Sequence, residues 1–330
     1  MSKHQSGTMT EIPNTGNSEN WRLSNSTVLV ETCIIGARHI QDGTVCQDAI
    51  KTHCCEDGLL VVAVADGHGD KKHALSHIGS QLAVSITVKL MEDALRDVVQ
   101  ESHKNTHHIQ EELQFQLPKR IHYEWKQLVR NEITKSNTQE ENKNIENENW
   151  DEQVILYGTT ILAMGFFQGY MLCFQLGDGD IFLLNASQED ERDIDVDASL
   201  QQLQSDQNIQ PDKVQFLLGK DDLYGSLTYS LCQPNNQNMA QVYFARQPNP
   251  CKVSLSSDGL RDCVGGSDDD FERVMRWIYQ KLESEPHFIS QLPLWLSKVS
   301  QQGNGDDISL IVVNINNTIN NTINSTNHNL

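Results

Sequence analysis

Apolar residues in this chain fall into strand-length runs separated by polar tracts, with four longer blocks of helical periodicity between them. The runs lie at 28–35, 58–65, 158–167, 170–176, 180–184, 242–245, 252–256 and 308–313. They are short and rich in valine, leucine and isoleucine, as buried strands are. Blocks at 73–99, 107–133, 270–282 and 287–299 repeat their apolar residues at three- and four-residue spacing and predict helices. Several runs are only a few residues apart, as across Gln168-Gly169, which predicts hairpins and antiparallel pairing. The helices come in pairs between groups of strands. The expected fold is therefore α+β: two antiparallel sheets packed face to face and covered by helix pairs, a four-layer α-β-β-α sandwich.

Polar segments set the expected boundaries. Residues 1–26 and 314–330 are Asn, Thr and Ser tracts that bury too little apolar surface to order themselves. Polar stretches near 136–151 and 186–211 read as insertions into one domain spanning 27–313. A length of 330 residues would also allow two domains of about 150. One domain is favoured because the three strands that carry the chemistry described next span most of the chain.

The run Leu59 to Ala65 delivers Asp66 at its end, inside Asp66-Gly67-His68-Gly69-Asp70. A carboxylate at the end of a buried strand is costly unless a positive partner meets it, and a divalent cation is the simplest one. The same device recurs where 252–257 runs into Asp258-Gly259, and where Asp306-Asp307 opens the strand from Ile308. Three such aspartates, far apart in sequence, point to one hard-metal site assembled by the fold.

Charge and cysteine content narrow the classes. A formal net charge of −20 argues against binding to nucleic acid or an anionic membrane through a basic patch. The eight cysteines form no CxxC pair and read as reduced residues of a cytoplasmic protein, not as a disulfide framework or zinc cluster. Adjacent Cys54-Cys55 is expected to be buried at a strand end. The first 20 residues lack the apolar core of a signal peptide, and no apolar run approaches the ~20 residues of a membrane span. His103, His107 and His108 read as solvated or capping, and Asp70 and Asp180 as solvated. The tryptophans in helical blocks read as core anchors.

Taken in order, the motifs Gly36-Ala37-Arg38-His39, Cys46-Gln47-Asp48-Ala49, Asp66-Gly67-His68-Gly69, Gly158-Thr159-Thr160, Gly177-Asp178-Gly179-Asp180, Ser257-Asp258-Gly259-Leu260 and Gly305-Asp306-Asp307-Ile308-Ser309 resemble a known family. They look like the metal-dependent serine/threonine phosphatases of the protein phosphatase 2C type, and more closely like the bacterial branch that carries CQDA and DGHG. The resemblance covers about 27–313, and the fold it implies is the sandwich read from the pattern.

By resemblance, two Mg²⁺ or Mn²⁺ ions form the cofactor, and phosphoserine or phosphothreonine is hydrolysed by attack of a metal-bridging hydroxide. Asp66 would bridge both metals, Asp258 and Asp306 would complete one, and the Gly67 carbonyl would bind the other. Glycine is expected at position 67 because a side chain would crowd the ion. Asp178 matches the family's third, weaker metal position. His68 either protonates the leaving oxygen or hydrogen-bonds a neighbouring carboxylate, and the titration range of imidazole favours the acid.

The sequence departs from the eukaryotic pattern where an arginine grips phosphate and a Glu-Asp pair supports the second metal. Here Gln47-Asp48 stands in place of the pair, with Asp48 expected to contact the metal through water and Gln47 to orient a water. Arg38 and His39 are the candidates for the phosphate, and Asp307 for a supporting role. Expected partners are a phosphorylated protein and a cognate kinase or its target, with no nucleic acid and no membrane. Two rival readings share the fold: an inactive module that binds a phosphoprotein, and a phosphatase of a small phosphorylated metabolite.

Overall fold

The computed structural model describes residues 19–24, 27–100, 105–139, 150–185, 214–216, 218, 228–247 and 251–315. Most of the expected polar insertions and both outer tails, 1–18 and 316–330, lie outside those residues.

The chain runs β1 (Glu19–Ser24), β2 (Thr27–Ile34), α1 (Ala37–Asp42), β3 (Ala49–Cys54), β4 (Leu60–Ala65), α2 (Ser76–Gln100) and α3 (Thr106–Gln139). It continues through α4 (Trp150–Ile155), β5 (Ile161–Phe167), β6 (Tyr170–Leu176), β7 (Asp180–Asn185), β8 (Val214–Phe216), β9 (Gln241–Arg246) and β10 (Cys251–Ser256). Last come α5 (Asp258–Cys263), α6 (Asp268–Ser284), α7 (Phe288–Gln302) and β11 (Ile308–Ile315). One antiparallel sheet has the order β1-β2-β11-β10-β7-β8 and the other β3-β4-β5-β6-β9.

Three apolar clusters define four layers. Between the sheets, Val62, Val64, Leu162 and Met164 meet Leu29, Val253, Leu255 and Ile311. On the outer face of the five-stranded sheet, Val61 and Ala63 pack against Met91 and Leu95 of α2 and Ile121 and Trp125 of α3. Val30, Phe182 and Leu310 of the six-stranded sheet pack against Phe271 and Ile278 of α6 and Leu292 and Leu296 of α7. β4 has one face toward each layer, so it is apolar throughout, as the LVVAVA run shows.

Differences from expectation have local causes. β1 orders part of the segment expected to be unordered, because an edge strand is held by backbone pairing, here with Glu19 opposite Glu31 and Arg22 opposite Val28. β3 escapes the pattern because AIKTHC buries only Ala49 and Thr52 well. α6 starts at Asp268, before the periodic block, because the Ser267 hydroxyl accepts the Asp270 amide at 3.1 Å and three aspartates occupy the first turn. Trp125 and Trp277 are core anchors, but Trp150 is exposed. Cys54 is exposed and Cys55 half-buried, which corrects the expectation of burial for that pair. His107 and His108 are exposed in the first turn of α3, and His103 lies outside the described residues.

Antiparallel pairing then brings the chemistry together. Ala49 at the start of β3 pairs with Ala65 at the end of β4. Ser256 at the end of β10 pairs with Asp180 at the start of β7 and with Leu310 near the start of β11. Segments 46–48, 66–69, 177–179, 257–258 and 304–307 therefore meet at one end of the sandwich.

Candidate metal centre

Asp66 is held by its own backbone. Its amide donates to Thr160 Oγ1 at 3.1 Å, and its carbonyl accepts from Thr160 N and Thr159 Oγ1, both at 2.8 Å. Gly158-Thr159-Thr160 is thus a clamp on the strand end. Burial, then the neighbouring charges of Asp258, Asp48, Asp306 and Asp178, push the Asp66 carboxyl well above the usual carboxylate range. Asp258 shares a hydrogen bond with Asp66 and is pushed up to about 8 by burial and by Asp178, Asp306 and Asp262. The structure thus brings together Asp66, Asp178, Asp258 and Asp306, each partly exposed, with Asp48 behind them. Asp262, one turn after Asp258, was not singled out from the sequence; its i, i+4 spacing on α5 is the signal that could have found it.

Asp48 is buried and accepts the Ser257 hydroxyl at 2.8 Å. Burial and the Asp307 charge raise it well above the usual range, while the Ser257 bond favours its ionised form. Asp307 supports the loops: Oδ1 accepts from Gly36 N at 2.6 Å and meets His39 Nδ1 at 2.8 Å, and Oδ2 accepts from Gln47 N at 2.6 Å. Although burial opposes it, the His39 bond and these amides hold Asp307 below the usual range, and the Asp307 bond raises His39. Arg38 is exposed and donates to the Asn304 carbonyl, and Asn304 Oδ1 accepts from Asp306 N at 3.0 Å. Asn304 is a second positioning residue missed in the sequence.

The glycine at 67 has a cause in the fold itself, beside the one expected from the ion. A Cβ there would lie 2.5 Å from the Gln47 carbonyl oxygen and 3.0 Å from Ser76, so the approach of the CQDA segment already excludes a side chain. Likewise a Cβ on Gly259 would fall 2.0 Å from the Asp307 carbonyl oxygen. Asp180 is not solvated as expected: it is buried and accepts from Arg261 Nε at 2.7 Å and from an outer guanidinium nitrogen at 2.6 Å. Asp70 is exposed, 3.1 Å from Lys72 Nζ.

His68 leaves the cluster toward a cavity of about 680 Å³ that it lines with Gly69, His73, Lys72 and Lys126. Its ring lies 4.7 Å from that of His73. Burial, then the neighbouring His73, pushes His68 down to about 4, which favours the neutral imidazole.

The donor set suits hard divalent cations. Carboxylates crowded until their proton affinity rises are what a dication would relieve. Gln47 Oε1 is buried without a hydrogen-bond partner, and a Cβ on Gly69 would lie 3.4 Å from it. A family model for protein phosphatase 2C matches residues 35–297.

The chain belongs to the protein phosphatase 2C family. The matched range includes Asp48, Asp66, Asp178 and Asp258, and ends before Asp306. No curated protein sequence matches the chain. Among solved structures, it is similar to RsbX in complex with magnesium, at 13% identity over 90% of this chain and 99% of that one, TM-score 0.44. It is similar also to the S. agalactiae serine/threonine phosphatase, at 14% identity over 88% and 99%, TM-score 0.47. A third is the catalytic domain of the serine threonine protein phosphatase PstP in complex with two manganese ions, at 16% identity over 88% and 99%, TM-score 0.45. Among the described residues, no helix is long and apolar enough to cross a membrane.

Proposed function

We propose that this member of the protein phosphatase 2C family hydrolyses phosphoserine and phosphothreonine in a protein substrate, using two Mg²⁺ or Mn²⁺ ions. The observation that carries this reading is the meeting of Asp66, Asp258, Asp306 and Asp178 at one end of two sheets, where their mutual repulsion and burial raise Asp66 and Asp258 above the usual carboxylate range. Asp66 and the Gly67 carbonyl, with Asp258 and Asp306, would hold the two ions, and Asp178 a third. When bound, the ions would screen the phosphoryl oxygens and acidify a water. Asp48, fixed by Ser257, and Gln47, through its unpaired Oε1, would orient water beside them.

The remaining steps fall to the chain's own groups. Arg38 spends one nitrogen on Asn304 and keeps other N–H groups for a phosphate oxygen. His39 is bound to Asp307 through Nδ1, which leaves Nε2 as the nitrogen that can donate. His68 faces the cavity where the departing residue would sit, and a phosphate dianion arriving beside it favours its charged form and so restores an acid. Seven of the eight cysteines are free thiols, which supports a cytoplasmic setting in which a cognate kinase would supply the substrate.

The test of substrate class compares a phosphothreonine peptide, para-nitrophenyl phosphate and a sugar phosphate, each with Mn²⁺. Preference for the peptide in kcat/KM supports the protein substrate. Preference for the sugar phosphate supports a metabolite phosphatase, and no turnover of any of the three supports an inactive binding module.

A further inference from the structure

A second set of metal-type ligands sits at the opposite end of β3, six residues and roughly 17–20 Å along the strand from the carboxylate cluster. His53 Nε2 lies 3.2 Å from Cys55 Sγ and 3.1 Å from Glu92 Oε2 of α2, and Cys55 Sγ lies 3.9 Å from Glu92 Oε1. One ligand atom from each fits within 4.8 Å of the others. Three ligands at tetrahedral angles around zinc, with metal bonds of ~2.0–2.3 Å, stand roughly 3.3–3.6 Å apart, close to the 3.1 and 3.2 Å from His53 Nε2 to its two neighbours.

As hydrogen bonds these contacts are weak: one Nε2 proton is shared between Glu92 Oε2 and the Cys55 sulfur, and the thiol reaches Glu92 Oε1 only at 3.9 Å. The carboxylate is also oriented from outside: Arg96 Nε donates to Glu92 Oε1 at 3.0 Å, and Arg96 is fixed by Asp57 at 2.6 Å and by the Phe167 ring 5.3 Å away. Glu92 Oε2 is thereby left facing His53. Outer partners of this kind preset metal ligands.

We propose that His53, Cys55 and Glu92 bind one divalent transition-metal ion of the borderline-soft zinc class, independently of the carboxylate cluster. Mixed imidazole, thiolate and carboxylate donors favour such an ion over Mg²⁺. Binding would replace the Cys55 S–H bond by a sulfur–metal bond and release one proton to solvent. Thiolate, two carboxylates, one guanidinium and the dication then sum to zero charge. The ion joins the end of β3 to α2, and the half-buried ligands leave it a fourth position open to water.

The test adds Co²⁺ to the full chain in excess Mg²⁺ and reads the near-ultraviolet thiolate-to-cobalt charge-transfer band, which an all-oxygen site cannot give. One equivalent should develop the band, and Zn²⁺ should displace it. Cys55→Ser should abolish the band, His53→Gln and Glu92→Gln should weaken Co²⁺ binding about tenfold or more, and Cys54→Ser should leave it intact. Absence of the band in the native protein, or its survival in Cys55→Ser, overturns the assignment.

Discussion

Arg261 donates twice, at 2.7 and 2.6 Å, to the carboxylate of Asp180, and both side chains are almost wholly buried. The pair ties α5, whose first residue is Asp258, to the turn that carries Asp178, so two of the clustered carboxylates share one anchor. A third bond, from Arg261 to Asp268 at 2.5 Å, extends it to the start of α6.

Removing either partner strands a buried charge. Arg261→Met or Asp180→Asn should cost about 3–5 kcal/mol in urea denaturation, whereas the paired apolar replacement Arg261→Met with Asp180→Leu should recover much of the loss. A single variant as stable as the parent would mean that the pair does not anchor these loops.

Gly67 and Gly69 should respond oppositely to alanine. The added methyl at 67 meets the Gln47 and Ser76 backbone, while at 69 it meets only Gln47 Oε1 at 3.4 Å. Gly67→Ala should lose about 1–3 kcal/mol and weaken metal binding, and Gly69→Ala should stay close to the parent. Equal stabilities in a urea series would remove the close-approach explanation.

His122 of α3 gives the fold an acid limit. Burial, then Lys126, pushes it down from 6.5 to about 4. Between those values the unfolded chain takes up a proton that the folded chain refuses, so stability is lost as pH falls from 6.5 toward 4. Because His68 is lowered to about 4 as well, His122→Gln should reduce, not abolish, the slope of that part of the thermal-midpoint profile, and an unchanged slope would assign the acid loss to other groups.

His68→Ala should slow a phosphoserine peptide by about 10²–10⁴-fold and an activated aryl phosphate far less, because an aryl oxide leaves without a proton. Equal losses on both substrates in kcat would take His68 out of the acid role.

The parts of the fold legible in the sequence were those written in continuous apolar runs. Leu60–Ala65 and Ile308–Ile315 are buried on both faces, so their ends, and the aspartates there, stand out without any pairing information. β1 and β3 were not legible because edge pairing and half-burial leave no such run. The supports of the site were hidden for another reason: Asp307 reaches Gly36 and Gln47 across more than 250 residues of chain, and Asp180 reaches Arg261 across 81. Charge alone marks Asp180 as solvated, and only the register of β7 on β10 turns it inward to an arginine. The lowered proton affinity of His68 was not legible, because it depends on burial and on His73.

The central claim is that Asp66 and Asp258 are the carboxylates on which divalent-metal phosphatase activity depends. The most direct measurement is hydrolysis of a phosphothreonine peptide as Mn²⁺ is titrated into chelator-stripped native protein and its Asp66→Asn and Asp258→Asn variants, with folding checked by circular dichroism. Native turnover that rises with Mn²⁺ and vanishes with EDTA, lost by at least about 10³-fold in both folded variants, is the expected result. Native turnover that ignores the metal, or an Asp66→Asn protein with the parent's activity and Mn²⁺ dependence, would contradict it.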